Sequence, residues 1–136
     1  MKAQSGQALV EWALSALVLM LFAFGMVALG HVVGEYMAVR AAATQAAFAA
    51  ARAPSEQAAQ SAALQAAQEA VAGSQLRNFQ IALDTAGFQR GGTLTAVATG
   101  CVSLEPFALV ARPLGRCVAL RWTAHALIEP YRSRAP

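Results

Sequence analysis

The sequence predicts an α+β fold: a long apolar N-terminal helix, a second alanine-rich helix and a small three-stranded antiparallel sheet. Three observations carry this prediction. The chain runs from Gln7 to Arg52 without a proline, and between Glu11 and Glu35 its only ionisable side chain is His31. Pro54 then interrupts the helical run, and a second helical stretch follows it. Beyond Gly73 the hydrophobic period changes from helical to two, the mark of half-buried strands.

The 136 residues allow one small domain plus an extra element. Alanine fills 34 positions and only 12% of residues are charged, about half the usual share for a soluble domain. The formal charge of +3 comes from scattered arginines, and such a spread describes a solvated face better than a phosphate-binding patch. We therefore expect no nucleic-acid partner.

Residues 1–6 form a short polar leader carrying Lys2. From Gln7 to Gly34 the chain is apolar. As a helix this stretch is roughly 42 Å long at about 1.5 Å per residue, longer than the hydrocarbon core of about 30 Å. It passes without a break into the alanine-rich residues 35–52. One helix over 7–52 is expected, crossing a membrane over about residues 10–34 and standing a few turns beyond it. Residues 53–136 then form the second helix and the sheet, on the far side of the membrane.

Ser55 suits an N-cap, and Glu56 in the first turn suits the helix dipole. The second helix is expected over about 55–72, weakly amphipathic, with Leu64 and Val71 on one face and Gly73 as its stop. Three alternating stretches follow. Phe79, Ile81 and Leu83 alternate with polar residues, as do Leu94, Ala96, Ala98, Val102 and Leu104. The last stretch is the clearest, with Val118, Leu120, Trp122, Ala124, Ala126 and Ile128 facing one way. Gly87, Gly91 and Gly92 make the first link, Pro106, Pro113 and Gly115 mark the second, and residues 130–136 read as a frayed polar tail.

Two cysteines, Cys101 and Cys117, lie in the C-terminal half. An exported domain would favour a disulfide between them; a cytosolic one would leave two free thiols. Setting Cys101 opposite Cys117 also sets Ala98 opposite Leu120 and Ala96 opposite Trp122, so the apolar faces coincide.

The stretch Gly6-Gln7-Ala8-Leu9-Val10-Glu11-Trp12 is the most informative. A glutamate one turn inside an apolar helix is costly unless it reaches the interface or finds a partner. A glycine, four residues, a glutamate and then an aromatic, at the head of a spanning segment, resembles a type IV prepilin processing site. The closer resemblance is to the TadE/TadF-like minor pilins, or pseudopilins, of the tight-adherence (Flp-type) pilus. It is strong over about residues 5–36, fair to Arg52 and weak beyond. Trp12 stands where the family more often has Phe or Tyr, and the family's early proline is absent.

The resemblance implies a pilin-like fold and cleavage between Gly6 and Gln7 by a prepilin peptidase. It also implies that the freed amine of one subunit neutralises Glu11 of its neighbour, with Trp12 beside it. Implied partners are the peptidase, the major pilin, a second TadE/TadF-like subunit and the membrane. The implied setting is the bacterial cytoplasmic membrane, N-terminus inside and domain periplasmic or extracellular, in the service of adhesion, biofilm formation and related secretion. No cofactor, metal or small-molecule substrate is implied. A membrane-anchored or secreted binding module is the alternative; for a secreted form, Ala28 and Gly30 would offer a signal-peptidase site.

Gly30, Gly34, Ala38, Ala42, Ala46 and Ala50 recur every four residues. Such a row allows close helix packing in a bundle or filament. Enzyme chemistry is not expected. His31 and His125 fall on different elements, the cysteines and His125 lack zinc-site spacing, and no glycine-rich phosphate loop follows a strand.

Overall fold

The computed structural model describes residues 3–107 and 117–129. Helix α1 runs unbroken over Ala3–Arg52, and α2 over Glu56–Ala70. Strands β1 (Leu76–Asp84), β2 (Thr93–Ser103) and β3 (Cys117–Leu127) form one antiparallel sheet in that order. A short 3-10 turn, Glu105–Phe107, follows β2. The fold is thus α+β, as the sequence predicts. The expectations for Pro113, Gly115 and the polar tail from Pro130 lie outside the described residues.

One long stripe of α1 builds the core. Glu35, Val39, Ala42, Ala43, Ala46, Ala47 and Ala50 are its buried residues, spaced at helical period along one face. Against them lie the inner face of the sheet and α2. Among the described residues, Leu94, Val39 and Val102 are the largest fully buried side chains. Most of the rest of the core is alanine, so the layers meet through small side chains.

The ends of α2 follow the predicted chemistry. The Ser55 hydroxyl accepts from the Ala58 N–H at 3.3 Å, a hydrogen-bonded N-cap. Gly73, just past the helix, has φ +89°, the left-handed region where glycine is favoured. The buried face differs from expectation. Ala59, Ala63 and Ala67 face the core, while Leu64 is 49% exposed. The reason lies in the core face of α1, which is mostly alanine. Alanine against alanine lets the two helices approach closely; a leucine between them would hold them apart.

The strands keep the predicted inward faces, with two refinements. First, β1 bulges between Arg77 and Gln80, where Asn78 takes φ 52°. The extra residue reverses the alternation. Leu76 thereby turns inward, over Gly100, where an added Cβ would lie 3.2 Å from its Cδ2. Second, the β2–β3 register is two residues away from the expected one. Ser103 faces Cys117, Cys101 faces Ala119, Ala98 faces Trp122 and Ala96 faces Ala124. A slip of two preserves which side chains point inward, so both registers bury the same residues. The cysteines still meet, diagonally rather than directly opposed. Cys101 and Cys117 form a disulfide with a Cα–Cα separation of 5.8 Å, inside the usual range. The bridge lies on the outer face of the sheet.

Candidate functional site on the N-terminal helix

Helix α1 divides into two lengths with different surroundings. From Glu35 onward it is the core helix of the domain. Before that it carries a bare apolar surface: Leu9, Val10, Trp12, Leu14, Leu17, Phe22, Phe24, Met26 and Leu29 are all exposed. A soluble protein's core helix would bury such side chains. Gly6–Arg52 is long and apolar enough to cross a membrane, and its most apolar stretch is not buried. Every backbone group inside it is satisfied within the helix, which a lipid environment demands. It fits a single-pass membrane anchor.

The predicted processing residues sit at the head of this anchor. Gly6 lies inside α1, and a Cβ added there meets nothing within 4 Å. The extended bond that a peptidase needs is therefore not the conformation observed. The Gly6–Gln7 bond must leave the first turns of the helix to be cut. Glycine eases this, because it weakens a helix by about 1 kcal/mol relative to alanine. Glu11 is exposed on the isolated helix, and Trp12 beside it is 72% exposed. Neither is held by the domain, so both are available to whatever surrounds the anchor.

The row of small residues splits at the same boundary. Gly30 and Gly34 are exposed and open around their Cα atoms. Ala38 is half-buried. Ala42, Ala46 and Ala50 are fully buried in the domain's own core. The upper part of the row, Ala42 included, thus packs within the chain and has no surface left for a neighbouring subunit.

Four contacts lock α1 to the domain where the two lengths meet. The Glu35 carboxylate, 8% exposed, accepts from the Gln75 N–H at 3.0 Å. That bond ties the link between α2 and β1 to the helix. The second Glu35 oxygen is buried without a partner among the described residues. The Tyr36 and Trp122 rings meet edge-on with centroids 5.7 Å apart, and the Arg40 guanidinium lies 5.1 Å from the Trp122 ring centroid. The His31 ring lies 5.9 Å from that of Phe107. His125 is on the other side of the sheet, hydrogen-bonded to Thr95 across the strands at 3.0 Å. Sequence reading missed Glu35. Its signal was spacing: stepping back from Ala50 through Ala46, Ala43 and Val39 in steps of three and four lands on it.

These features define a class: a small α+β domain built around the C-terminal half of a long apolar helix that fits a single-pass membrane anchor, with an acidic residue near that helix's N-terminal end. A family model described as TadE-like protein matches residues 6–52. That segment, the whole of α1 from Gly6 onward, is similar to TadE-like proteins, in agreement with the resemblance carried by Gly6, Glu11 and their neighbours. No curated protein and no solved structure matches the chain.

Proposed function

We propose that this protein is a minor pilin, or pseudopilin, of a Tad/Flp-type pilus system, cut after Gly6 by a prepilin peptidase and taking part in pilus assembly or priming. The observation that carries the reading is the match over residues 6–52, which opens at Gly6 and takes in Glu11 and the bare apolar helix. In this reading the new α-amino group of Gln7 on one subunit meets Glu11 of the next. Mispaired neighbours would leave an uncompensated charge in an apolar setting, which is strongly unfavourable and so fixes the register. Trp12, and the still-open Gly30 and Gly34, supply contact surface for neighbouring helices. The disulfide favours an exported domain, with the N-terminus in the cytoplasm. Partners are the peptidase, the major pilin and other TadE/TadF-like subunits, and the process served is adhesion, biofilm formation or secretion.

Mass spectrometry of the membrane-associated protein tests this directly. The mature chain should begin at Gln7. An intact Met1 would favour a plain membrane anchor, and a start near His31 a secreted module. Gly6→Ala should stay uncut. The substitution meets no steric obstacle, so normal cleavage of that variant would count against the reading rather than against folding. Glu11→Ala should be cleaved normally but fail to enter assemblies.

A further inference from the structure

The uncharged length of α1 locates the far side of the bilayer. Residues 12–30, a run of 19 between Glu11 and His31, hold no ionisable side chain. As a helix this run is about 28 Å long at about 1.5 Å per residue, close to the hydrocarbon thickness of about 30 Å. With Glu11 at one interface, the other falls at His31, and Glu35 lies about 6 Å further out, in the headgroup layer.

The domain already touches the helix at that level. Phe107, at the end of the 3-10 turn below β2, packs on His31. Burial on α1 begins at Glu35, one turn further out. No bare stalk separates the domain from the bilayer. The opposite end of the domain, where Leu127 and Glu129 sit beside Phe48 and Arg52, is roughly 30 Å further along the helix.

We infer that the base of the domain is a second membrane contact: Phe107 sits at the boundary between lipid headgroups and acyl chains, beside His31. The inference rests on the reading of α1 as a membrane anchor. An apolar ring is favoured at this depth, where its hydrocarbon surface leaves water. The neighbouring charges suit a phospholipid surface. Glu105 would be repelled by lipid phosphates, but the Arg77 guanidinium stands 3.3 Å from its carboxylate. Arg77 and Glu105 are both more than half exposed, so their charged ends reach the aqueous headgroup layer while Phe107 points to the helix. The contact limits how the domain can tilt about the anchor, since tilting one way lifts Phe107 out and tilting the other drives Glu105 in.

Fluorescence depth measurement on the full chain tests this. A small environment-sensitive fluorescent amino acid is placed by codon suppression at Phe107, at Glu105, at Phe22 within the span or at Leu127 at the far end. Each protein is reconstituted in vesicles of phosphatidylethanolamine and phosphatidylglycerol with and without brominated acyl chains. Emission at 107 should be blue-shifted from that at 127, and its loss to bromolipid should fall between the losses at 22 and 127. The label at 105, whose side chain is more than half exposed, should show a smaller loss than at 107 but a greater one than at 127. Equal, negligible quenching at 105, 107 and 127 with strong quenching at 22 overturns the inference and leaves the anchor standing. A blue shift at 107 without bromolipid quenching means that protein, not lipid, covers it, and overturns it equally. No quenching at 22 removes the anchor reading and the inference with it.

Discussion

Replacing Cys101 and Cys117 together by serine should destabilise the domain by about 3 kcal/mol. The bridged residues are 16 apart in the chain. In the chain-entropy model a loop of that length withholds about 10 cal/mol/K from the unfolded ensemble, or about 3 kcal/mol at 25 °C. In this protein the loss would be a large part of the total. Most core side chains are alanine, each contributing less than about 1 kcal/mol on burial, and small domains hold only about 5–15 kcal/mol in all. The assay is thermal unfolding of the detergent-solubilised full chain, followed by Trp122 emission in a Trp12→Phe background. Trp122 is a suitable reporter because Tyr36 and Arg40 of α1 pack on its ring, so its surroundings change when the sheet leaves the helix. At about 4–8 °C per kcal/mol for a domain of this size, the midpoint should fall by roughly 12–24 °C. A fall of less than roughly 4 °C would refute the reasoning, because the bridge would then place no effective constraint on the unfolded chain.

The observed strand register makes a separate prediction. Ser103 faces Cys117 directly, so Ser103→Cys in a Cys101→Ser background should restore an oxidised bridge, seen as loss of thiol labelling; two freely reactive thiols would contradict the register. Glu35→Ala should cost about 1.5–3 kcal/mol, the range for a hydrogen bond to a charged group, and speed exchange of the Gln75 amide, whereas Glu35→Gln keeps an acceptor and should lose less. An alanine variant as stable as the parent would show that burying the carboxylate costs as much as its bond returns. Gly30→Ala with Gly34→Ala should stiffen the helix by up to about 2 kcal/mol, since neither Cβ meets a neighbour, and slow amide exchange there; unchanged exchange would argue against the glycines as weak points.

Periodicity made most of the fold legible. The uninterrupted apolar run gave α1, Ser55 and Gly73 bracketed α2, and alternation set the inward faces of β2 and β3. Other features escaped for definite physical reasons. Strand register could not be fixed, because alternation repeats every two residues and a slip of two leaves every side chain on the same face. The bulge at Asn78 was hidden because Phe79, Ile81 and Leu83 alternate cleanly on their own; only the inward turn of Leu76 over Gly100 requires it. Leu64 and Val71 share a face in the sequence, yet Val71 packs partly against the core while Leu64 is 49% exposed. At the head of α1 the motif from Gly6 to Trp12 was plain in sequence, while the structure adds that these residues are exposed rather than packed on the described part of the domain. Glu35 went unnoticed because a carboxylate beyond a membrane span reads as solvated until the domain is folded over it.

A single helix serves here as both anchor and core, and this constrains how the protein can work. Val39, Ala42, Ala43, Ala46 and Ala50 are buried residues of the domain, so the domain cannot complete its core without the outer half of α1. The N-terminal half has no such partner among the described residues, and its exposed apolar side chains suit cover by lipid or by other helices. No glycine or proline interrupts residues 35–52, and Glu35, Tyr36 and Arg40 fasten the domain at the start of that stretch. A displacement of the anchor along its axis is therefore passed to the domain without slack. Gly30 and Gly34, just below the first buried residue, are the weakest helical positions near the junction. The His31–Phe107 contact spans Gly34, so bending at that glycine would have to break it. An assembly that extracts the anchor from the bilayer would thus move the domain as a rigid head on its own core helix.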